Sequence, residues 1–229
     1  MKRVGLVGGL GPESTIDYYR RIIEKWHLRD ASSAPPLMID SLDVKRALHL
    51  VDKDRGALVE YLLESLQRLG AAGVEFAALT ANTPHVVFDE LAARSPVPLL
   101  SIVEACAHEA ERQGLRRLVL LGTRFTMEAP FYHDAFARHG LEVFVPSADD
   151  RAWVHDRYVN QLLLGQFRDE TRGELVALVA RMKKEHRADG IILGGTELPL
   201  LLTSATIADL PVLDTTSLHV AAIVERMRS

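Results

Sequence analysis

Short apolar runs recur along the chain, each ending at glycine or a small polar residue, with longer stretches of helical periodicity between them. Val4-Gly5-Leu6-Val7 is the first run, and Gly8-Gly9-Leu10-Gly11-Pro12-Glu13-Ser14-Thr15 turns it into a helix expected to reach about Trp26. Leu37 to Asp40 reads as a second strand, followed by a polar, irregular connection from Ser41 to Asp54 that carries Asp43, Lys45 and Arg46. Leu58, Leu62, Leu66 and Leu69 mark one face of a helix that stops at Gly70 to Gly73. Next comes a buried strand with Phe76 that opens through Ala77-Ala78-Leu79-Thr80-Ala81-Asn82-Thr83-Pro84-His85 onto a helix. Asn82 or Thr83 suits its N-cap, and Pro84 suits its first position, where a missing N–H costs nothing. Pro96, Pro98 and Ser101 bracket a fourth strand, and Ile102, Val103, Cys106 and Ala110 stripe the helix after it.

The pattern then repeats. Lys2-Arg3-Val4-Gly5-Leu6-Val7-Gly8 is echoed by Arg116-Arg117-Leu118-Val119-Leu120-Leu121-Gly122, and the end of the strand at Ala81 by Gly190-Ile191-Ile192-Leu193-Gly194-Gly195. Both offsets are 114 residues (122 − 8 and 195 − 81), and Pro98-Leu99-Leu100-Ser101 matches Pro211-Val212-Leu213-Asp214 at 113 (211 − 98). Anchors that share one offset in one order imply an internal duplication. Strands alternating with helices imply parallel sheets. The expected fold class is therefore α/β: two similar domains, each a mostly parallel sheet flanked by helices. Their approximate extents are 1–98 plus 212–229 and 99–211, with equivalent strand ends facing one cleft. Within the second half, Leu141 to Val145 reads as a strand, Asp149 to Leu164 and Gly173 to His186 as helices, and Thr216 to Arg228 as the terminal helix.

Composition narrows the function classes. The chain has 229 residues, 48% of them apolar and 25% charged, as expected of a soluble globular protein. A net charge of −4 gives no basic footprint for nucleic acid or an anionic membrane. No apolar run has membrane-spanning length, and Lys2-Arg3 leads straight into a strand, so a cytoplasmic protein is expected. The single cysteine allows no internal disulfide or cysteine zinc site, and no histidine lies in a recognisable metal pattern. The Gly8 to Thr15 turn has neither the Walker A nor the dinucleotide spacing, a Ser-His-Asp hydrolase is unsupported without G-x-S-x-G, and no metal is expected.

Four motifs carry a resemblance: Gly8 to Thr15, Asn82-Thr83-Pro84-His85, Leu121-Gly122-Thr123-Arg124-Phe125-Thr126-Met127-Glu128, and Gly195-Thr196-Glu197. With them in this order, the chain resembles the aspartate/glutamate racemase family over nearly its whole length. The resemblance implies a PLP-independent amino-acid racemase, homodimeric, in which two cysteines flank the substrate α-carbon. One removes the α-proton and the other returns a proton to the opposite face. Where the family has Cys-Asn-Thr this chain has Ala81-Asn82-Thr83, and where it has Gly-Cys-Thr-Glu this chain has Gly194-Gly195-Thr196-Glu197. Neither a methyl group nor a hydrogen carries a proton, and Cys106 lies inside a helix. The usual activity is therefore expected to be lost or altered.

The resemblance also places binding groups for a small carboxylate or amino acid at Asn82, Thr83, Thr123, Thr196 and Arg46. A family lysine has no clear match, Leu163 lying near its place. Substitute acid/base candidates are Glu197, His85, Thr80 and Glu13, acting directly or through a bound water. Each has a plain alternative: a helix cap for Glu197, a solvated first-turn residue for His85, a satisfied core hydroxyl for Thr80, a helix-dipole partner for Glu13. Three readings follow: an isomerase with a different proton-transfer set, a lyase, decarboxylase or hydrolase on the same scaffold, and a non-catalytic carboxylate-binding homologue.

Overall fold

The computed structural model describes residues 1–229, which divide into two compact units, Met1–Ile102 with His219–Ser229, and Val103–Leu218. In chain order the first unit contains β1 (Val4–Gly8), α1 (Pro12–His27), β2 (Leu37–Ser41), α2 (Val44–Lys53), α3 (Arg55–Ala71) and β3 (Phe76–Leu79). A one-turn 3₁₀ helix (Thr83–Val87), α4 (Phe88–Arg94) and β4 (Leu99–Leu100) follow, and α5 (Ile102–Arg112) leads out of the unit. The second unit contains β5 (Arg117–Gly122), α6 (Arg124–Glu128), α7 (Phe131–Arg138), β6 (Glu142–Phe144) and α8 (Ala148–Asn160). It continues through α9 (Asp169–His186), β7 (Gly190–Gly194), α10 (Leu198–Leu201), β8 (Thr206–Ile207) and β9 (Leu210–Asp214). The terminal helix α11 (Thr215–Arg228) brings the chain back to the first unit at His219.

The first sheet is wholly parallel in the order β2-β1-β3-β4. The second runs β6-β5-β7-β9, parallel throughout, with β8 added antiparallel at the edge. The two orders are the same topology, and the duplicated anchors fall on β1 and β5, β3 and β7, and β4 and β9. The central strands β1, β3 and β7 are buried along their whole length because helices cover both sheet faces, which is why they read as continuous apolar runs. Edge strand β2 is half-buried at Leu37 and Asp40 and exposed at Met38, Ile39 and Ser41, and left a weaker signal. On one face of the first sheet Tyr18, Ile22 and Trp26 of α1 pack with Ile223 and Val224 of α11 against Leu6 and Phe76. In the second unit Leu175, Val179 and Met182 of α9 pack on Val119, Ile191 and Leu193.

Three local features differ from the sequence pattern. The expected irregular stretch from Ser41 to Asp54 is largely helix α2, because Val44, Ala47, Leu48 and Val51 recur at helical spacing and Ala47 and Val51 are buried. The Asp43 carboxylate caps it, accepting the Lys45 N–H at 2.8 Å and the Arg46 N–H at 3.4 Å. At the end of β3 the chain makes a 3₁₀ turn before α4, and Asn82, itself at φ −78° and ψ −46°, makes no side-chain cap. The return to the first unit falls at His219, after β9, because Val212 and Leu213 pair with Ile191 and Ile192 in the second sheet.

Candidate active site

In a parallel sheet of this order, the chain leaves the carboxyl ends of the two central strands toward opposite sides, which opens a crevice there. In the first unit that point is the end of β1 and β3. Gly9 turns with φ +73°, and a β-carbon on it would meet the Leu42 carbonyl and lie 2.6 Å from the Leu42 nitrogen, so only glycine fits. The Gly9 N–H donates to Thr15 Oγ1 at 2.9 Å, and Ser14 Oγ donates to the Thr80 carbonyl at 2.7 Å. Thr80 Oγ1 donates back to the Val7 carbonyl at 3.2 Å. These bonds hold the β1–α1 loop on the end of β3. Thr80 thereby serves as a buried tie, while Glu13 is exposed in the first turn of α1.

Ala81, Asn82 and Thr83 follow, all buried. His85 is also buried, stacked on Phe88 with ring centroids 4.8 Å apart. Its Nε2 accepts the Ile102 N–H at 3.3 Å, so Nδ1 carries the proton and donates to the Ala81 carbonyl at 3.1 Å. Burial pushes the imidazole down to about 3, with the nearby His219 adding to the shift. His85 is thus a neutral crosspiece from the β3 end to the start of α5. Arg46 lies on α2, beyond the carboxyl end of β2, with its guanidinium 4.2 Å over the Tyr61 ring.

The equivalent point of the second unit is built differently. Thr123 ends the β5 loop and caps α6, its Oγ1 accepting the Thr126 N–H at 3.3 Å. Helix α8 spans both strand ends: His155 Nδ1 accepts the Arg124 N–H at 3.2 Å beside β5, and Tyr158 reaches the loop after β7. There a β-carbon on Gly195 would lie 2.7 Å from the Tyr158 hydroxyl oxygen and 2.8 Å from its Cζ. The phenol ring occupies the space that any side chain at 195 would need. Its hydroxyl donates a short hydrogen bond to Glu197 Oε2 and accepts the Glu197 N–H at 3.4 Å. Thr196 Oγ1 donates to the same carboxylate oxygen at 3.1 Å. Glu197 precedes α10 without capping it through its side chain. Burial first, and then the Glu197 carboxylate, push the phenol well above its ordinary range.

The family model for Asp/Glu/Hydantoin racemase matches residues 7–223. The chain belongs to that family. It is 28% identical over 221 residues to the broad specificity amino-acid racemase RacX of Bacillus subtilis (strain 168), a match covering 93% of each chain. Among solved structures, a Yersinia pestis protein described provisionally as an Asp/Glu racemase superposes with TM-score 0.89 at 33% identity, each chain fully covered. An aspartate racemase homologue from Pyrococcus horikoshii OT3 superposes with TM-score 0.84 at 32% identity, again over both whole chains.

In this racemase-family chain the sequence-predicted residues thus fall into groups at the two strand-end crevices. Thr80, Ala81, Asn82, Thr83 and His85 follow β3, with Glu13 in the first turn of α1; Gly195, Thr196 and Glu197 follow β7, with Thr123 after the end of β5. Leu163, near the place of the family lysine, lies in a short 3₁₀ turn and packs on the second core. Tyr158 went unpredicted. It lies 37 residues before Gly195 (195 − 158), in a stretch read only as helix. The one available signal was glycine standing where the resemblance expects a side chain, which calls for some other group to fill the space. Cys106 is buried in α5, where burial and then Asp214 push its thiol up and keep it protonated.

Proposed function

We propose that this chain is an isomerase acting on the α-carbon of a small amino acid, in which Tyr158 and Glu197 stand in for the second-half cysteine of a racemase. The observation that supports this reading is the phenol seated where a side chain at 195 would lie, hydrogen-bonded to a buried carboxylate. The pair has the parts of an acid/base relay. As the phenol oxygen takes the α-proton, its own proton passes to Glu197, and the reverse transfer returns a proton to the same face. A neutral phenol is itself a weak base, so the buried Glu197 carboxylate is the net proton acceptor of the relay and the phenol oxygen carries the proton between it and the α-carbon. In the second unit Thr123 and the Thr196 N–H are the proposed contacts for the substrate carboxylate, the Thr196 hydroxyl proton being held by Glu197; in the first unit Asn82, Thr83 and Arg46 are the polar groups that the family resemblance proposes.

Among the first-unit candidates, the three side chains after β3 offer no matching partner, and Glu13 is exposed in the first turn of α1. Ala81 has only a methyl group, Thr80 is tied to the Val7 carbonyl, and both nitrogens of His85 are engaged. Protonation of the second face then falls to water, and inversion is slow relative to exchange. The test is proton NMR in D₂O with a panel of L- and D-amino acids. At least one should lose its α-proton signal several times faster than its enantiomer accumulates, the latter read by chiral chromatography of the same samples. Equal rates of exchange and inversion would show a competent base on each face. Saturable binding with no exchange would instead make the chain a carboxylate-binding homologue, the reading favoured by the inert Ala81 side.

A further inference from the structure

Helices α5 and α7 of the second unit bring together side chains that the racemase reading leaves unused. Glu104 and His108 lie four residues apart on α5, one turn along the same face. His139 follows the last turn of α7. One donor atom from each of the three lies within 4.8 Å of the others. The rings of His108 and His139 meet edge to face, with centroids 4.7 Å apart at 78°.

We infer that Glu104, His108 and His139 form a binding site for one zinc-type divalent ion that ties α5 to α7. The hydrogen-bond pattern carries the inference. In the tautomer with its proton on Nδ1, His139 donates to Glu111 Oε2 at 3.0 Å, while a ring protonated on both nitrogens donates to both glutamates. With the neutral ring, Nε2 faces Glu104 Oε2 at 3.2 Å, one acceptor against another. Two lone pairs at that distance need a cation between or beside them, and either a proton or a metal ion supplies it. A carboxylate on the far nitrogen of a histidine is the usual support for a metal-bound imidazole, since it fixes the tautomer and raises ligand basicity. Arg138 plays the equivalent part for the other ligand: its guanidinium holds Glu104 Oε1 and leaves Oε2 turned to the cluster.

The donor set matches the ion. Two imidazoles and one carboxylate are the ligands of a zinc site with an open position for water. Zinc–nitrogen bonds of about 2.0–2.1 Å put tetrahedral ligands about 3.3 Å apart, so Glu104 and His139 already have the spacing. His108 is exposed, and its donor atom lies within 4.8 Å of the other two. The pattern was invisible along the chain because His139 is 31 residues beyond His108 (139 − 108).

The experiment is calorimetric titration of the chelator-treated full chain with Zn²⁺, paralleled by visible absorption on Co²⁺ addition. One equivalent should bind, with the intense visible bands of a four-coordinate cobalt site. The melting temperature should rise by roughly 5–10 °C at a hundredfold excess over Kd. His108→Ala alters only an exposed side chain and should weaken binding at least tenfold. Glu111→Gln, outside the ligand set, should weaken it by about 10- to 100-fold. Absence of saturable binding overturns the site. So does binding unchanged by both His108→Ala and His139→Gln, which would place the ion on other histidines.

Discussion

A β-carbon at position 195 and the Tyr158 ring compete for one space, so glycine and tyrosine at these two positions depend on each other. Gly195→Cys should therefore not restore a thiol at no cost. It must displace a buried ring, which overpacks a well-filled region and costs about 1–3 kcal/mol. Thermal unfolding should show a lower melting temperature. Tyr158→Leu in the same chain should remove most of the added penalty, a coupling that a double-mutant cycle measures. If the two changes instead add independently, the ring and the position are not in competition. Cys106 is predicted to stay unreactive toward thiol reagents until the protein unfolds, since its thiol is buried and its proton affinity raised.

At the level of elements, buried side-chain ties join pieces distant in sequence. His85 links the β3 end to α5, and His219 links α1 to β4, accepting the Tyr18 hydroxyl proton at 2.8 Å and donating to the Leu100 carbonyl at 3.1 Å. Burial holds both imidazoles neutral, His85 down to about 3 and His219 to about 4. Free histidine titrates near 6.5, so as pH falls the unfolded chain takes up these protons first. Their contribution is full above about 6.5 and is lost as pH falls toward about 4 for His219 and about 3 for His85, with a limiting slope of about 1.4 kcal/mol per pH unit for each histidine. Urea unfolding of Trp153→Phe, which leaves Trp26 of the first unit as reporter, should show lower stability at pH 5 than at pH 7.5. Equal stability at both would contradict the neutral assignment. Helix α2 rests on a single cap: Asp43→Ala should cost about 0.5–2 kcal/mol in the same unit, while Asp43→Asn should restore most of it. That helix was hidden in the sequence by its polar residues, although Val44, Ala47, Leu48 and Val51 carried its period.

At the scale of the molecule, duplication was the most legible feature, because buried parallel strands must be apolar throughout and their ends must turn on small residues. The offset shared by Gly8 with Gly122 and Ala81 with Gly195 reappears as one strand order in both sheets. Motif positions were legible for the same reason: loops at strand ends keep their order along the chain. Side chains that reach a site from a helix elsewhere were not. Tyr158 arrives at Gly195 from α8, and His139 arrives beside Glu104 from α7, and neither spacing has a period that a linear pattern detects. The residues at 81 and 195 were legible too, an alanine and a glycine where the family resemblance expects cysteines. What takes over at 195 depended on knowing where α8 lies.

The most direct measurement is the rate of α-deuterium incorporation in D₂O, comparing the unaltered chain with Tyr158→Phe on the amino acid it exchanges fastest. Loss of the hydroxyl removes the acid/base group but keeps the ring over Gly195, so folding should survive. The account predicts a fall in the exchange rate of about 10²- to 10⁴-fold, with amino-acid binding little changed. An undiminished rate in Tyr158→Phe would contradict it and place the proton transfer on another group.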